Sequence, residues 1–187
     1  LFPLLNSGNL HILEERDLKN ILKVPKYLKE KDINFISSVP SLWNILLTAS
    51  KSINSDSIKR VHVGSAPLTI RLALNIQKWF GNNPLIINTY GITETGSWIA
   101  GTEGSNVVPK DGKIGRGWGT NIIVSKDISN IKNDINLLDN NNRMKKNEKG
   151  YIWVQTSSLM QGYLGQKKMT NSVVCGSWFF TGDLGFL

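Results

Sequence analysis

The run Tyr90-Gly91-Ile92-Thr93-Glu94-Thr95 places an aromatic ring, a glycine, a hydroxyl and a carboxylate within six residues. Each has a chemistry suited to a nucleotide. A ring stacks on a base, a glycine lets a ligand approach the backbone, a hydroxyl bonds a phosphate, and a carboxylate is a hard oxygen ligand for Mg²⁺. The apolar segment Leu85-Ile86-Ile87-Asn88 just before it reads as a buried strand. In open α/β sheets, ligands sit at the ends of such strands.

Three further segments have the same flavour. Val63-Gly64-Ser65-Ala66-Pro67-Leu68 offers small residues after a strand, against which a flat base can lie. Gly112-Lys113-Ile114-Gly115-Arg116 pairs two glycines around an apolar residue. Trp178-Phe179-Phe180-Thr181-Gly182-Asp183-Leu184-Gly185 ends an aromatic run on a carboxylate. An ionised Asp accepts hydrogen bonds and donates none, so it suits a pair of ribose hydroxyls.

Each residue also has an ordinary reading. Tyr90 can be a half-buried aromatic after a strand, Glu94 a solvated carboxylate, and Asp183 a turn residue after glycine. Ser65-Ala66-Pro67 can be a plain connection, with Thr69 capping the next helix. His11 and His62 read as structural, because a lone His on a strand needs no catalytic explanation. Trp153 and Tyr163 read as packing residues.

In their order, the four segments resemble the motifs of the adenylate-forming (AMP-binding) superfamily. Its members include acyl-CoA synthetases, luciferases and the adenylation domains of nonribosomal peptide synthetases. The resemblance spans almost the whole chain, with a gap near residues 125–134. It implies that Tyr90 stacks on adenine, Thr93 contacts the α-phosphate, Glu94 ligates Mg²⁺ and Asp183 holds the ribose. Thr93 and Glu94 are then the catalytic pair, and Gly64, Ser65, Ala66, Pro67, Asn88 and Gly91 complete the nucleotide-binding set. By the same resemblance, Ser37, Val61, Val63, Thr89, Ser97 and Trp98 line the acyl pocket.

The implied chemistry is ATP-dependent activation of a carboxylic acid as acyl-AMP with release of pyrophosphate. The acyl group then passes to CoA or to a carrier-protein phosphopantetheine. The hints to substrate class conflict: the opening Leu1–Gly8 stretch is similar to amino-acid-activating domains, whereas Ser65-Ala66-Pro67 and residues 178–183 are similar to acyl-CoA synthetases. Residues 147–151, Asn-Glu-Lys-Gly-Tyr, lack the first Gly and last Glu of a Gly-Glu-x-Gly-Glu run common in the family. That change affects a turn and leaves the nucleotide residues alone. Two other readings are a non-catalytic nucleotide-binding relative and a basic nucleic-acid-binding module.

Bulk properties frame these readings. The chain has 187 residues and a formal charge of +8, from 22 Lys and Arg against 14 Asp and Glu. The lysines are scattered, not clustered with aromatics, which argues against a nucleic-acid surface. Cys175 is alone, so there is neither a disulfide framework nor a cysteine-based zinc site, and a reducing cytoplasm is the expected compartment. No stretch approaches the roughly 20 apolar residues that span a bilayer. Leu1 opens on an apolar run without an initiator Met, and the chain reads as an internal piece of a longer protein.

The elements that must position these residues follow from hydrophobic spacing. Strands are expected over 9–13, 33–37, 59–63 and from 85. Helices are expected over 25–31, from Pro40 with Leu42, Ile45 and Leu46 on one face, and over 69–80 with a Leu72, Ile76, Trp79 and Phe80 stripe. Gly81 through Pro84 stops the last helix. Alternation of this kind implies an α/β fold, a mostly parallel sheet covered by helices. Strands over 120–125, 136–139 and 151–156, a polar loop at 125–134 and a turn at 139–142 imply part of an antiparallel β subdomain. The expected division is 1–110 for the α/β lobe and 111–187 for the β-rich part. Because the phosphate loop and catalytic lysine that the family carries elsewhere are absent, the 187 residues alone are predicted to form no acyl-adenylate. Acid-dependent pyrophosphate exchange by this segment would overturn that expectation.

Overall fold

A computed structural model describes residues 7–81, 84–102, 110–126 and 143–187. The strand expected at 136–139, most of the loop at 125–134 and the whole of the turn at 139–142 lie outside the described residues. The chain groups into two compact units. One comprises Leu1–Ile86 with Ser105–Asp111, the other Ile87–Gly104 with Gly112–Leu187.

The first unit is α/β. After the short helix α1 (Glu15–Lys19) comes α2 (Val24–Glu30), with Pro25 in its first turn, where its missing N–H costs nothing. Strand β1 (Phe35–Ser38) runs parallel to β2 (Arg60–Val63). Helix α3 (Pro40–Ala49) connects them. Helix α4 (Ile70–Phe80) follows, capped at its start by Thr69 Oγ1, which accepts from the Leu72 N–H at 3.2 Å. Gly81 ends it at φ 79°, a left-handed value that glycine adopts without strain.

The stripe Leu72, Ile76, Trp79 and Phe80 is buried as expected, in one cluster with Trp43, Leu46, Val61 and Val63. On α3 the buried face is Trp43 and Leu46, while Ile45 is 55% exposed. Ile45, expected on the buried face, is displaced from it by the Trp43 ring, which stands edge-on to Trp79 and Phe80 and sets the rotation of the helix. Residues 9–13 form no strand.

The second unit is antiparallel. Strand β3 (Leu85–Ile92) begins in the first unit and runs into the second. A 3-10 turn (Thr93–Thr95) reverses it into β4 (Ser97–Gly101), which pairs back antiparallel along Thr89–Ile92. Next comes β5 (Arg116–Gly117) beside β4. A second sheet contains β6 (Thr120–Ser125), β7 (Gly150–Thr156), β8 (Val174–Cys175) and β9 (Trp178–Gly185), in the order β6-β7-β9-β8. Helix α5 (Lys167–Val173) precedes β8 and has no counterpart in the sequence expectation.

Strand alternation gives this sheet two apolar faces. Val124, Ile152, Val154 and Phe179 cluster with Ile99 on one, and Ile123 and Trp153 pack with Phe180 on the other. Because Ile99, Tyr90 and Ile92 share the first of these clusters, residues 87–104 group with the β-rich part and not with the α/β lobe.

At Gly115 and Gly91 the chain itself demands a glycine. A Cβ on Gly115, which sits at φ 82°, would fall 1.8 Å from the Gly101 carbonyl oxygen. A Cβ on Gly91 would fall 2.0 Å from the Ser97 carbonyl oxygen. The close approach expected of a ligand at Gly91 is therefore made by β4. Gly91→Ala is expected to destabilise the full-length protein by about 3 kcal/mol or more, as overpacking against a backbone that cannot yield. Denaturant unfolding checks this, and a loss under about 1 kcal/mol would show that the strands part easily there.

Candidate functional site

In the second unit two strand irregularities hold several of the residues singled out in the sequence. The β3–β4 register shifts between Tyr90 and Gly91. On β9, Phe180 lies opposite Trp153 and Leu184 opposite Tyr151, so Thr181-Gly182-Asp183 bulges out opposite the single residue Ile152. Bulges re-aim side chains and are common beside active sites. Gly182 takes φ 81°, with no atom within 4 Å of where a Cβ would sit, so it is there for its conformation. The Thr181 hydroxyl locks the bulge: it donates to the Ile152 carbonyl at 2.9 Å and accepts from the Asp183 N–H at 3.1 Å.

The two irregularities meet. The Tyr90 hydroxyl donates to Asp183 Oδ2. Tyr90 is half-buried against the Ile99 cluster, and Asp183 is exposed. Burial, and then the Asp183 hydrogen bond, push the Tyr90 phenol well above its usual range, so it stays a neutral donor. An aromatic ring and an acceptor carboxylate thus stand side by side, as recognition of a base and its ribose needs.

Beyond the β3 bulge, the 3-10 turn presents Thr93 and Glu94. Thr93 is exposed, and its hydroxyl makes no hydrogen bond among the described residues. Glu94 is half-buried, and its Oε1 accepts from the Tyr163 hydroxyl at 2.7 Å. That bond pushes the Tyr163 phenol up. Glu94 Oε2 has no hydrogen bond or ion pair among the described residues. An open carboxylate oxygen suits a hard cation, and Mg²⁺ is commonly held by one or two carboxylates together with substrate phosphates. Among the described residues no group of three or more His, Cys, Asp or Glu could hold a metal. The donor set therefore fits a cation carried in with a nucleotide.

Asn88 is spoken for by the fold. It is 5% exposed, its side-chain amide donates to the Lys113 carbonyl at 2.8 Å, and its backbone exchanges hydrogen bonds with Thr102. This side chain tethers β3 to the segment after Gly112. Thr89 is buried, while Ser97 and Trp98 on β4 are exposed.

In the first unit, Gly64 extends the β1–β2 pairing through its N–H, which donates to the Ser38 carbonyl at 3.2 Å. Ser65, Ala66 and Pro67 follow as an exposed loop. Ser65 holds φ 66°, a left-handed value that is uncommon for a residue with a Cβ.

The expected pocket set of Ser37, Val61 and Val63 does not share one face. Register pairs Ser37 with His62, and Ser38 with Val63. Partners in a parallel pair project to the same side and neighbours alternate, so Ser37 lies opposite the two valines. Ser38 is the serine on their face, and it accepts from Trp43 Nε1 at 2.6 Å. Val61 and Val63 are fully buried in the core of this unit. A strand's two-residue period puts neighbouring serines on opposite faces, so a one-residue offset inverts the face.

His62 is 8% exposed, with its ring edge-on to Phe35 at a centroid distance of 4.8 Å. Burial and then the Arg60 charge lower its pKa from 6.5 to about 4. It is a neutral packing residue. Sequence reasoning also passed over Tyr163 as a site residue, since nothing local marks a side chain whose partner is 69 positions away.

A family model described as AMP-binding enzyme matches residues 1–164. The chain belongs to the AMP-binding enzymes. It is 30% identical over 192 residues to a long-chain-fatty-acid–CoA ligase of Haemophilus influenzae, covering 98% of this chain and 30% of that protein. The chain thus spans about a third of the length of the curated relatives it matches. Two solved members share the fold. McyG A-PCP complexed with phenylalanyl-adenylate superposes with a TM-score of 0.75 at 19% identity, over 96% of this chain and 29% of that one. O-succinylbenzoate coenzyme A synthetase of Bacillus subtilis, in complex with ATP and magnesium ion, gives 0.71 at 21% identity, over 91% and 32%. These identities speak for the fold alone. No described helix is long and apolar enough to cross a membrane.

The depressed His62 pKa carries a sign. Between about pH 6.5 and pH 4 the unfolded chain takes up a proton that the folded one refuses, so stability is full above that window and falls as pH drops through it. The loss from this residue is on the order of 3 kcal/mol. In the full-length protein, His62→Gln is expected to flatten the fall in denaturant midpoint between pH 7 and about pH 4.5. An unchanged slope would mean that His62 titrates normally.

Proposed function

We propose that the full-length protein is an ATP-dependent ligase that activates a carboxylic acid as its acyl-adenylate, with release of pyrophosphate. It then passes the acyl group to a thiol, of CoA or of a carrier-protein phosphopantetheine. The observation that carries this reading is the Tyr90–Asp183 hydrogen bond, which sets an aromatic ring beside an acceptor carboxylate at two strand bulges. Membership in the AMP-binding enzymes and the CoA-ligase relatives support the same chemistry.

In this reading the Tyr90 ring covers one face of the adenine. Asp183 keeps one carboxylate oxygen on Tyr90 and offers the other to the ribose. Thr93, with a free hydroxyl at the start of its turn, holds the α-phosphate. Glu94 provides the open oxygen for Mg²⁺, which when bound neutralises charge developing on the phosphates. The rest of catalysis is positioning, because phosphoryl transfer leaves little covalent work to the protein. Trp98, exposed on β4, and Ser97 are the candidates for contact with the acid. The acid is a fatty, aryl or amino acid of moderate size, as a bulky Trp does not suit a long chain on that path.

The test is acid-dependent ATP–pyrophosphate exchange by the full-length protein, across panels of amino acids, fatty acids and aryl acids. Exchange is expected with one class. Asp183→Ala is expected to weaken ATP binding by about 10- to 100-fold, as for loss of hydrogen bonds to a charged group. ATP binding without exchange for any acid would replace this reading with that of a non-catalytic nucleotide-binding relative.

A further inference from the structure

Glu94 has a long side chain with several rotatable bonds, and a carboxylate that must meet a cation at one place loses that freedom when it does so. Its surroundings remove most of the freedom in advance. Residues 158–163 lie along the turn that carries it and fasten it at three points. Ser158 Oγ donates to the Thr95 carbonyl at 2.6 Å, the Met160 N–H donates to the Glu94 carbonyl at 2.7 Å, and the Tyr163 hydroxyl donates to Glu94 Oε1 at 2.7 Å. Two of these bonds hold the backbone of the turn. The third holds the functional group.

Tyr163 is itself anchored. Its N–H donates to Thr170 Oγ1 on α5 at 2.9 Å, and a Cβ on the neighbouring Gly162 would come within 3.0 Å of the Thr170 side chain. The phenol is thus presented from a braced turn. Its hydroxyl is not obliged to find a protein partner, because Tyr163 is only half-buried and water could serve it. The bond orders Glu94 without being needed to satisfy a buried group.

The chemistry of the partner is informative. A Lys or Arg in this place would pair with the carboxylate and compete with a cation. A phenol is a neutral donor: it takes one oxygen and leaves the negative charge and the second oxygen available. No ion pair to Glu94 exists among the described residues. This is the arrangement by which outer-shell hydrogen bonds orient metal-ligating carboxylates.

We propose that Tyr163 is a positioning residue that aims the Glu94 carboxylate for Mg²⁺ accompanying the nucleotide. The assignment rests on the reading of Glu94 as the metal ligand, and the experiment separates the two. In the full-length protein, Mg²⁺ is titrated calorimetrically in the presence of a non-hydrolysable ATP analogue. Binding of AMP without Mg²⁺ is measured alongside.

Tyr163→Phe is expected to weaken Mg²⁺ binding by about 10-fold or more, within the range seen when outer-shell partners are removed. It is expected to leave metal-free AMP binding unchanged. In a Glu94→Gln background the same substitution is expected to cause no further loss. Unchanged Mg²⁺ binding in Tyr163→Phe, where Glu94→Gln does weaken it, overturns the role of Tyr163 and leaves Glu94 standing. A parallel loss of metal-free AMP binding marks Tyr163 as structural and overturns the proposal as well. Mg²⁺ binding that Glu94→Gln leaves intact refutes the reading of Glu94, and the role of Tyr163 goes with it.

Discussion

The close β3–β4 approach at Gly91, just before the chain reverses, is the constraint on which the rest of the site depends. Strand β4 folds back so closely that the Ser97 carbonyl occupies the space of a side chain at that position. The register slip this imposes turns Tyr90 towards β9 and pushes Thr93 and Glu94 out on a 3-10 turn. Had β3 continued into a helix, as α/β alternation suggests, these residues would have had different neighbours. Gly91 thus permits the close pairing, and the turn that ends on left-handed Gly96 completes a tight hairpin with a ring on one side of the bulge and a carboxylate on the other.

The second bulge complements the first. Thr181 ties its hydroxyl to the Ile152 carbonyl and to the Asp183 N–H, so the detour of β9 is hydrogen-bonded and not loose. Phe179 is buried on one face of the sheet and Phe180 partly buried on the other, which pins the strand on the approach to the detour. Rigid sheet beneath and short irregularities above make a general arrangement for function: the scaffold supplies stability and the bulges supply direction. The Tyr90–Asp183 hydrogen bond makes the two irregularities one unit.

The stretch 158–163 adds a different kind of support. It reaches the turn through two bonds to backbone carbonyls and one to a side chain, so the position of Glu94 is set by its own backbone and by a phenol from a distant segment. Asn88 does comparable work at the middle of β3, where a buried amide holds the Lys113 carbonyl. Polar side chains near the candidate site thus divide into those that the fold uses and those that it leaves open, Thr93 and one oxygen each of Glu94 and Asp183 among the latter.

The sequence by itself determined the α/β character of the first unit, the buried stripe of α4 with its Thr69 cap and Gly81 stop, and the strands near 120–125 and 151–156. Such features depend on local periodicity and on residues within a few positions of each other. The motif residues Tyr90, Thr93, Glu94 and Asp183 were also legible as chemistry, because their types and order sufficed. Tertiary structure alone decided which of them meet. The Tyr90–Asp183 and Glu94–Tyr163 contacts link residues 93 and 69 positions apart, and no short-range pattern encodes such a pairing. It also decided which face of β1 a serine occupies, since a strand's two-residue period inverts every side chain when its reading shifts by one. Commitment of Asn88 and Gly91 to the chain's own backbone was hidden for the same reason: a residue type states what a group can bond, and only the fold brings the partner.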